Sequence, residues 1–264
     1  MKPKFVVGGL VILLALGYMI WAGVTQSAVY FVTPSELQAA PVAGKAYRLG
    51  GLVAPGSLRW EPRTGDIARS GELGWLTGPS SFHAPNETQL QHGNYLSVWR
   101  KAADGNWRVF IDVGVGTPHA VTFAPGFTRF PFGDRYTGKE DKAASAAALL
   151  TADRELNKRM ASGGTGEAYR AHLAAAARLH RFGVLSIVGR GAIADWLDQH
   201  AASMSVTSGA ADAAEAGDIG YSYGTYALKG DAAERGAYVR VWTRDGAGKW
   251  LIVADVTQPT PPGG

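Results

Sequence analysis

The feature that most narrows the fold is an internal repeat. Residues 71–78 (GELGWLTG) align with 217–224 (GDIGYSYG), 93–100 (GNYLSVWR) with 236–243 (GAYVRVWT), and 105–113 (GNWRVFIDV) with 248–256 (GKWLIVADV). The offset stays at about 143 to 146 residues, so one strand-rich unit occurs twice. In each copy aromatic and β-branched residues alternate with polar ones. Asp104-Gly105 and Asp245-Gly246 mark hairpin turns.

The copies differ in what precedes them. Ahead of the second lies helical sequence. Residues 144–160 put Leu149, Ala152, Leu156 and Met160 on one stripe, and Gly163-Gly164 breaks it. Thr165 then caps an expected second helix running to about His180, with Tyr169, Leu173, Ala176 and Ala177 on one face. Gly189-Arg190-Gly191 precedes a third, whose buried stripe is Ile193, Trp196, Leu197 and Ala201. The expected class is α+β, with three helices on a curved antiparallel sheet over 144–258. The first copy, 57–118, has the strands without the helices. Its sheet must borrow cover from the Ala-rich helices, from residues 29–56 or from another subunit. Residues 119–143 read as a linker that packs through Phe123, Phe127, Phe130 and Phe132, and 259–264 as a frayed tail.

The N-terminus constrains location. Phe5 to Val24 is a run of about twenty uncharged residues, long enough to cross a bilayer. Lys2 and Lys4 precede it, and the next positive charge is Lys45, an asymmetry that puts the N-terminus in the cytoplasm. The run is longer than a signal-peptide core, and Gln26-Ser27-Ala28 is a weak cleavage site. Residues 1–26 are therefore expected to be a retained anchor in a bacterial inner membrane, with the lipid bilayer as partner and the soluble region in the periplasm.

Composition limits the chemistry. The absence of cysteine excludes disulfides and thiolate sites. A net charge of +4, without a basic run interleaved with aromatics, gives no nucleic-acid signal. The spacing of the six histidines suggests no metal site.

Residues 30–37 (YFVTPSEL) and 44–58 (GKAYRLGGLVAPGSL), following a single anchor, resemble the start of the cytochrome c maturation protein E family of periplasmic haem chaperones. The resemblance covers residues 5–60. It implies a strand of an OB-type barrel in the 27–60 segment, haem as a cofactor and the cytochrome c maturation machinery as a partner. That family attaches haem to a His in an H-D-E-N-Y-type motif. None of His83, His92, His119, His172, His180 and His200 lies in one.

The second unit resembles the SnoaL-like, nuclear-transport-factor-like cone superfamily. The likeness is carried by 151–154 (TADR), 188–197 (VGRGAIADWL) and the strands of 217–226, 238–242 and 250–255. It implies a pocket between helices and sheet, and a homodimer through the sheet. Tyr221, Tyr223, Arg240, Trp242 and Trp196 are the expected pocket lining. Asp153, His180, Tyr223 and Asp255 are the candidate acid–base groups. Each has a structural alternative: an ion pair of Asp153 with Arg154, a helix C-cap for His180, turns or caps for Asp112 and Asp255, and packing for the tyrosines and for Trp99, Trp107, Trp242 and Trp250. Three functions follow: a membrane-tethered binding or interaction protein, a cytochrome c maturation protein, or an isomerase- or dehydratase-like enzyme.

Overall fold

The computed structural model describes residues 30–32, 47–49, 58–83, 89–121, 126–201, 204–228 and 234–260. The expected membrane span at residues 5–24 lies outside them, as do most of the 27–60 segment and residues 261–264. Among the described residues no helix is long and apolar enough to cross a membrane. The chain divides into two units, residues 1–55 and 56–264. In the first, β1 (Tyr30–Val32) pairs in parallel with β2 (Tyr47–Leu49).

Among the described residues the second unit contains two sheets. One is built from β3 (Leu58–Trp60), β4 (Thr64–Ile67), β5 (Leu73–His83), β6 (Leu90–Lys101), β7 (Trp107–Gly116) and β8 (Thr128–Arg129). Its order is β7-β6-β5-β4-β8, with β3 also on β5. The other contains β9 (Leu173–His180), β10 (Ile187–Val188), β11 (Met204–Ala213), β12 (Ile219–Leu228), β13 (Glu234–Arg244) and β14 (Trp250–Pro259). Its order is β10-β9-β14-β13-β12-β11. Three helices accompany the second sheet: α1 (Lys142–Gly163), α2 (Thr165–Arg170) and α3 (Arg190–His200). The Asp141 side chain caps α1 by accepting from the Ala143 and Ala144 amides.

The expected second helix is overturned. It stops at Arg170, and Leu173–His180 is the strand β9. Alanine favours helix, but intrinsic propensity is a weak prior against tertiary pairing. Here β9 joins β14 in parallel and buries Leu173, Ala177 and Leu179. The sheet is therefore mixed rather than antiparallel throughout. The expected linker also contributes structure. Thr128–Arg129 pairs with β4, and Phe130 is buried against Trp75 with ring centroids 5.4 Å apart.

The first copy's missing cover is found on one face. Its sheet packs against the back of the second sheet, the face turned away from α1. Trp75, Leu96 and Val98 share one core with Tyr221, Val239, Val241 and Val256. Phe110 lies 5.6 Å from Tyr221, and Arg100 bonds both Asp212 and the Tyr221 hydroxyl. The contacts are reciprocal at repeat-equivalent positions. The Arg69 amide donates to Asp218 at 3.1 Å, and the Glu215 amide donates to Glu72 at 2.7 Å. This is the self-complementary pattern of a two-fold interface, formed within one chain. The sheet face expected to pair two copies of the protein is thus occupied by the chain's own first copy.

Because the two sheets share a core, Trp75→Ala should destabilise both together by about 3–5 kcal/mol. Urea unfolding followed by far-UV circular dichroism and by tryptophan fluorescence should shift as one transition. Separate transitions would mean that the sheets are independent.

Candidate functional site

The register of the second sheet sets Ser222, Arg240 and Asp255 side by side in one row. The row faces α1, where Asp153 lies on the buried stripe with Leu149, Leu156 and Met160. The Arg240 guanidinium donates to Asp153 at 2.7 Å and to Asp255 at 2.9 Å, with its side chain fully buried. It also donates to Asn157 Oδ1 at 2.9 Å and the Tyr169 hydroxyl at 2.8 Å, and stacks on the Tyr238 ring at 4.4 Å. Asp153 accepts from Ser222, Ser208 and Tyr238 as well. Asp255 accepts from Arg181 and Tyr169.

Burial alone would raise both carboxyls. The surrounding guanidinium groups and hydroxyl donors outweigh it and hold Asp153 and Asp255 below the usual carboxylate range. Burial raises the Tyr169 and Tyr238 phenols, keeping both protonated as donors. This network fills the space between α1 and the sheet, where Asp153, Ser222, Arg240 and Asp255 are fully buried.

Several sequence expectations change. Asp153 pairs with Arg240; Arg154 is exposed. Asp255 and Asp112 lie within strands, not at turns or caps. His180 ends a strand instead of capping a helix, and its Nε2 lies 2.8 Å from Thr77 Oγ1 across the two sheets. The proposed lining does not converge. Arg240 and Trp242 face the helices, Tyr221 faces the first sheet, and Tyr223 is 42% exposed. Trp196 stacks on His200 on α3. Asn157, Tyr169, Arg181, Ser208, Ser222 and Tyr238 also belong to the network, and no motif in the sequence marks them as site residues.

The first copy carries an open apolar surface. Its helix-equivalent face repeats the second sheet's register, down to the bulge beside Trp99 and Trp242. Leu76, Ser97 and Asp112 form the row corresponding to Ser222, Arg240 and Asp255. One apolar groove there is lined by Ile67, Leu76, Trp99 and Trp107. A larger cavity of about 770 Å³ is lined by Leu58, Trp60, Phe82, Tyr95, Asp112 and Phe182, among others. Trp60 stacks on Tyr95 at 5.6 Å and remains 41% exposed.

No protein-family model matches the chain. Its N-terminal part is similar to the cytochrome c-type biogenesis protein CcmE of two strains of Thermus thermophilus, at 48% identity over 63 residues in each case. The match covers 23% of this chain and 44% of each relative, so the chain spans less than half the length of the curated relatives it matches. Among solved structures, a ketosteroid isomerase-like protein from Erwinia carotovora atroseptica aligns at 12% identity and TM-score 0.39, covering 45% of this chain and 98% of that one. A putative calcium/calmodulin-dependent protein kinase II association domain from Xanthomonas campestris aligns at 17% and 0.38, covering 47% and 98%. At these scores the alignments assign no ligand or activity.

Two outcomes test the electrostatics. Arg240→Met leaves the buried Asp153 without a cation and Asp255 with Arg181 alone, and should cost about 3–5 kcal/mol in denaturant unfolding. The second concerns His180, which burial and then Arg178 and Arg181 push down to about 3. The unfolded His takes a proton near pH 6.5 and the folded one does not, so stability is full above about 6.5 and falls as pH drops toward 3. The loss approaches about 1.4 kcal/mol per pH unit. His180→Gln should flatten the thermal-midpoint profile between pH 6.5 and 4; an unchanged slope would contradict this assignment.

Proposed function

We propose that this chain is a membrane-anchored, periplasm-facing binding or interaction protein of the bacterial inner membrane, and that its cone is a scaffold without catalysis. The carrying observation is the buried Arg240, held between Asp153 and Asp255. A general base needs a reachable oxygen and a pKa near the working pH. Asp153 has both oxygens engaged and is held low instead. Binding is assigned to the aromatic face of the first copy, where Trp60, Tyr95 and Phe82 line an open cavity.

The test uses the full chain in lipid nanodiscs, with energy transfer from tryptophan to 1-anilinonaphthalene-8-sulfonate and empty nanodiscs subtracted. Saturable binding should weaken by about two- to tenfold in Trp60→Ala, the range expected for one aromatic contact. An unchanged curve would reject the face as the site. Turnover of a small carbonyl substrate that disappears in Asp153→Asn would reject the scaffold reading.

A second reading is favoured by the N-terminal similarity to CcmE. Residues 30–58 would serve cytochrome c maturation by holding haem without the covalent attachment motif. Full-length protein produced with the maturation apparatus should then show a Soret band. Its absence would leave that segment without a haem role.

A further inference from the structure

We propose that the open face of the first copy is a docking surface for an amphipathic helix of another polypeptide, one that presents an apolar stripe and a single Lys or Arg to Asp112. This rests on the binding reading above and names its occupant. The argument comes from the repeat. In the second copy the row Ser222–Arg240–Asp255 is covered by α1, which lays Leu149 and Leu156 on the sheet and Asp153 on Arg240. Gly220 permits that approach, since a Cβ there would meet Leu149 Cδ2 at 2.5 Å.

The first copy keeps much of the same receiving surface. Gly74 stands for Gly220, Tyr95 for Tyr238 and Trp99 for Trp242. Each indole donates to a serine at 2.9 Å, but from non-equivalent places: Trp99 to Ser97 on its own strand, Trp242 to Ser222 on the neighbouring one. The charges differ. Asp112 retains the place of Asp255, but Ser97 replaces Arg240. Asp255 is paired with two arginines, whereas among the described residues no cation pairs with Asp112. The second copy brings its carboxylate on the helix because the sheet supplies the guanidinium. With the guanidinium gone and a sheet carboxylate kept, the complementary helix carries the cation. The apolar part of the contact falls on Leu76, Trp99 and Trp107, the last 38% exposed. Aromatic side chains of this kind are the usual anchors of helix-in-groove recognition.

The test uses the full chain in nanodiscs and two labelled synthetic peptides read by fluorescence anisotropy. One has the sequence of residues 142–163 of this chain, and the other is the same peptide with Asp153→Arg. The Arg peptide should bind the tighter of the two. Asp112→Asn should weaken it by about tenfold, the worth of one charged hydrogen bond. Asp112→Lys should reverse the preference toward the unmodified peptide, which shows that the variant still folds. Equal binding of both peptides, or indifference to Asp112, would overturn the inference. So would displacement by N-acetylarginine amide at the affinity of the whole peptide, which would make the site one for a small cation. Trp60-dependent dye binding with no peptide binding would remove the helix and leave the binding reading intact. Loss of both would remove both.

Discussion

Arg240 organises the second half of the molecule. An ion taken out of water at this depth costs several kcal/mol unless it is paired and fully hydrogen-bonded. The sheet supplies Asp255 and α1 supplies Asp153, so the charge is satisfied only when helix and sheet are docked in one register. The tyrosines and serines around it complete the carboxylates' remaining bonds. Such a pair adds little over an apolar core of the same volume, but either partner alone is severely unfavourable. Its effect is to make alternative placements of α1 expensive.

The other face of the sheet is governed by apolar burial. Trp75, Leu96 and Val98 would be exposed on a lone sheet, and so would Tyr221, Val239 and Val241. Each set is the cover for the other. The polar contacts at the edge, from Arg69 to Asp218 and from Glu215 to Glu72, fix how the two sheets are turned. One half of the pair carries helices on its outer face and the other does not, and this asymmetry leaves the aromatic face of the first copy open.

The repeat was legible because strand alternation and turn glycines survive in both copies. Gly105 and Gly248, at φ of 82° and 85°, end the equivalent turns. Helices α1 and α3 were legible from their stripes. Strand β9 was not, because an alanine run carries helix propensity and its parallel partner β14 lies more than seventy residues away in sequence. The network was legible in part. Asp153 falls four residues after Leu149 and three before Leu156, which puts a carboxylate on the apolar stripe and signals a buried partner. That the partner was Arg240 depended on the strand register, which composition does not encode. His180 reads as a helix cap for the same reason that β9 reads as helix.

The reciprocal contacts between the two sheets also bear on how such a chain can change. In an assembly of two identical subunits every substitution appears twice, so a residue suited to one face is imposed on both. Here Ser97 and Arg240 occupy equivalent places and differ. Joining the two halves in one polypeptide frees each from copying the other. One half can hold a locked interior while its twin gives up the lock and keeps an open surface.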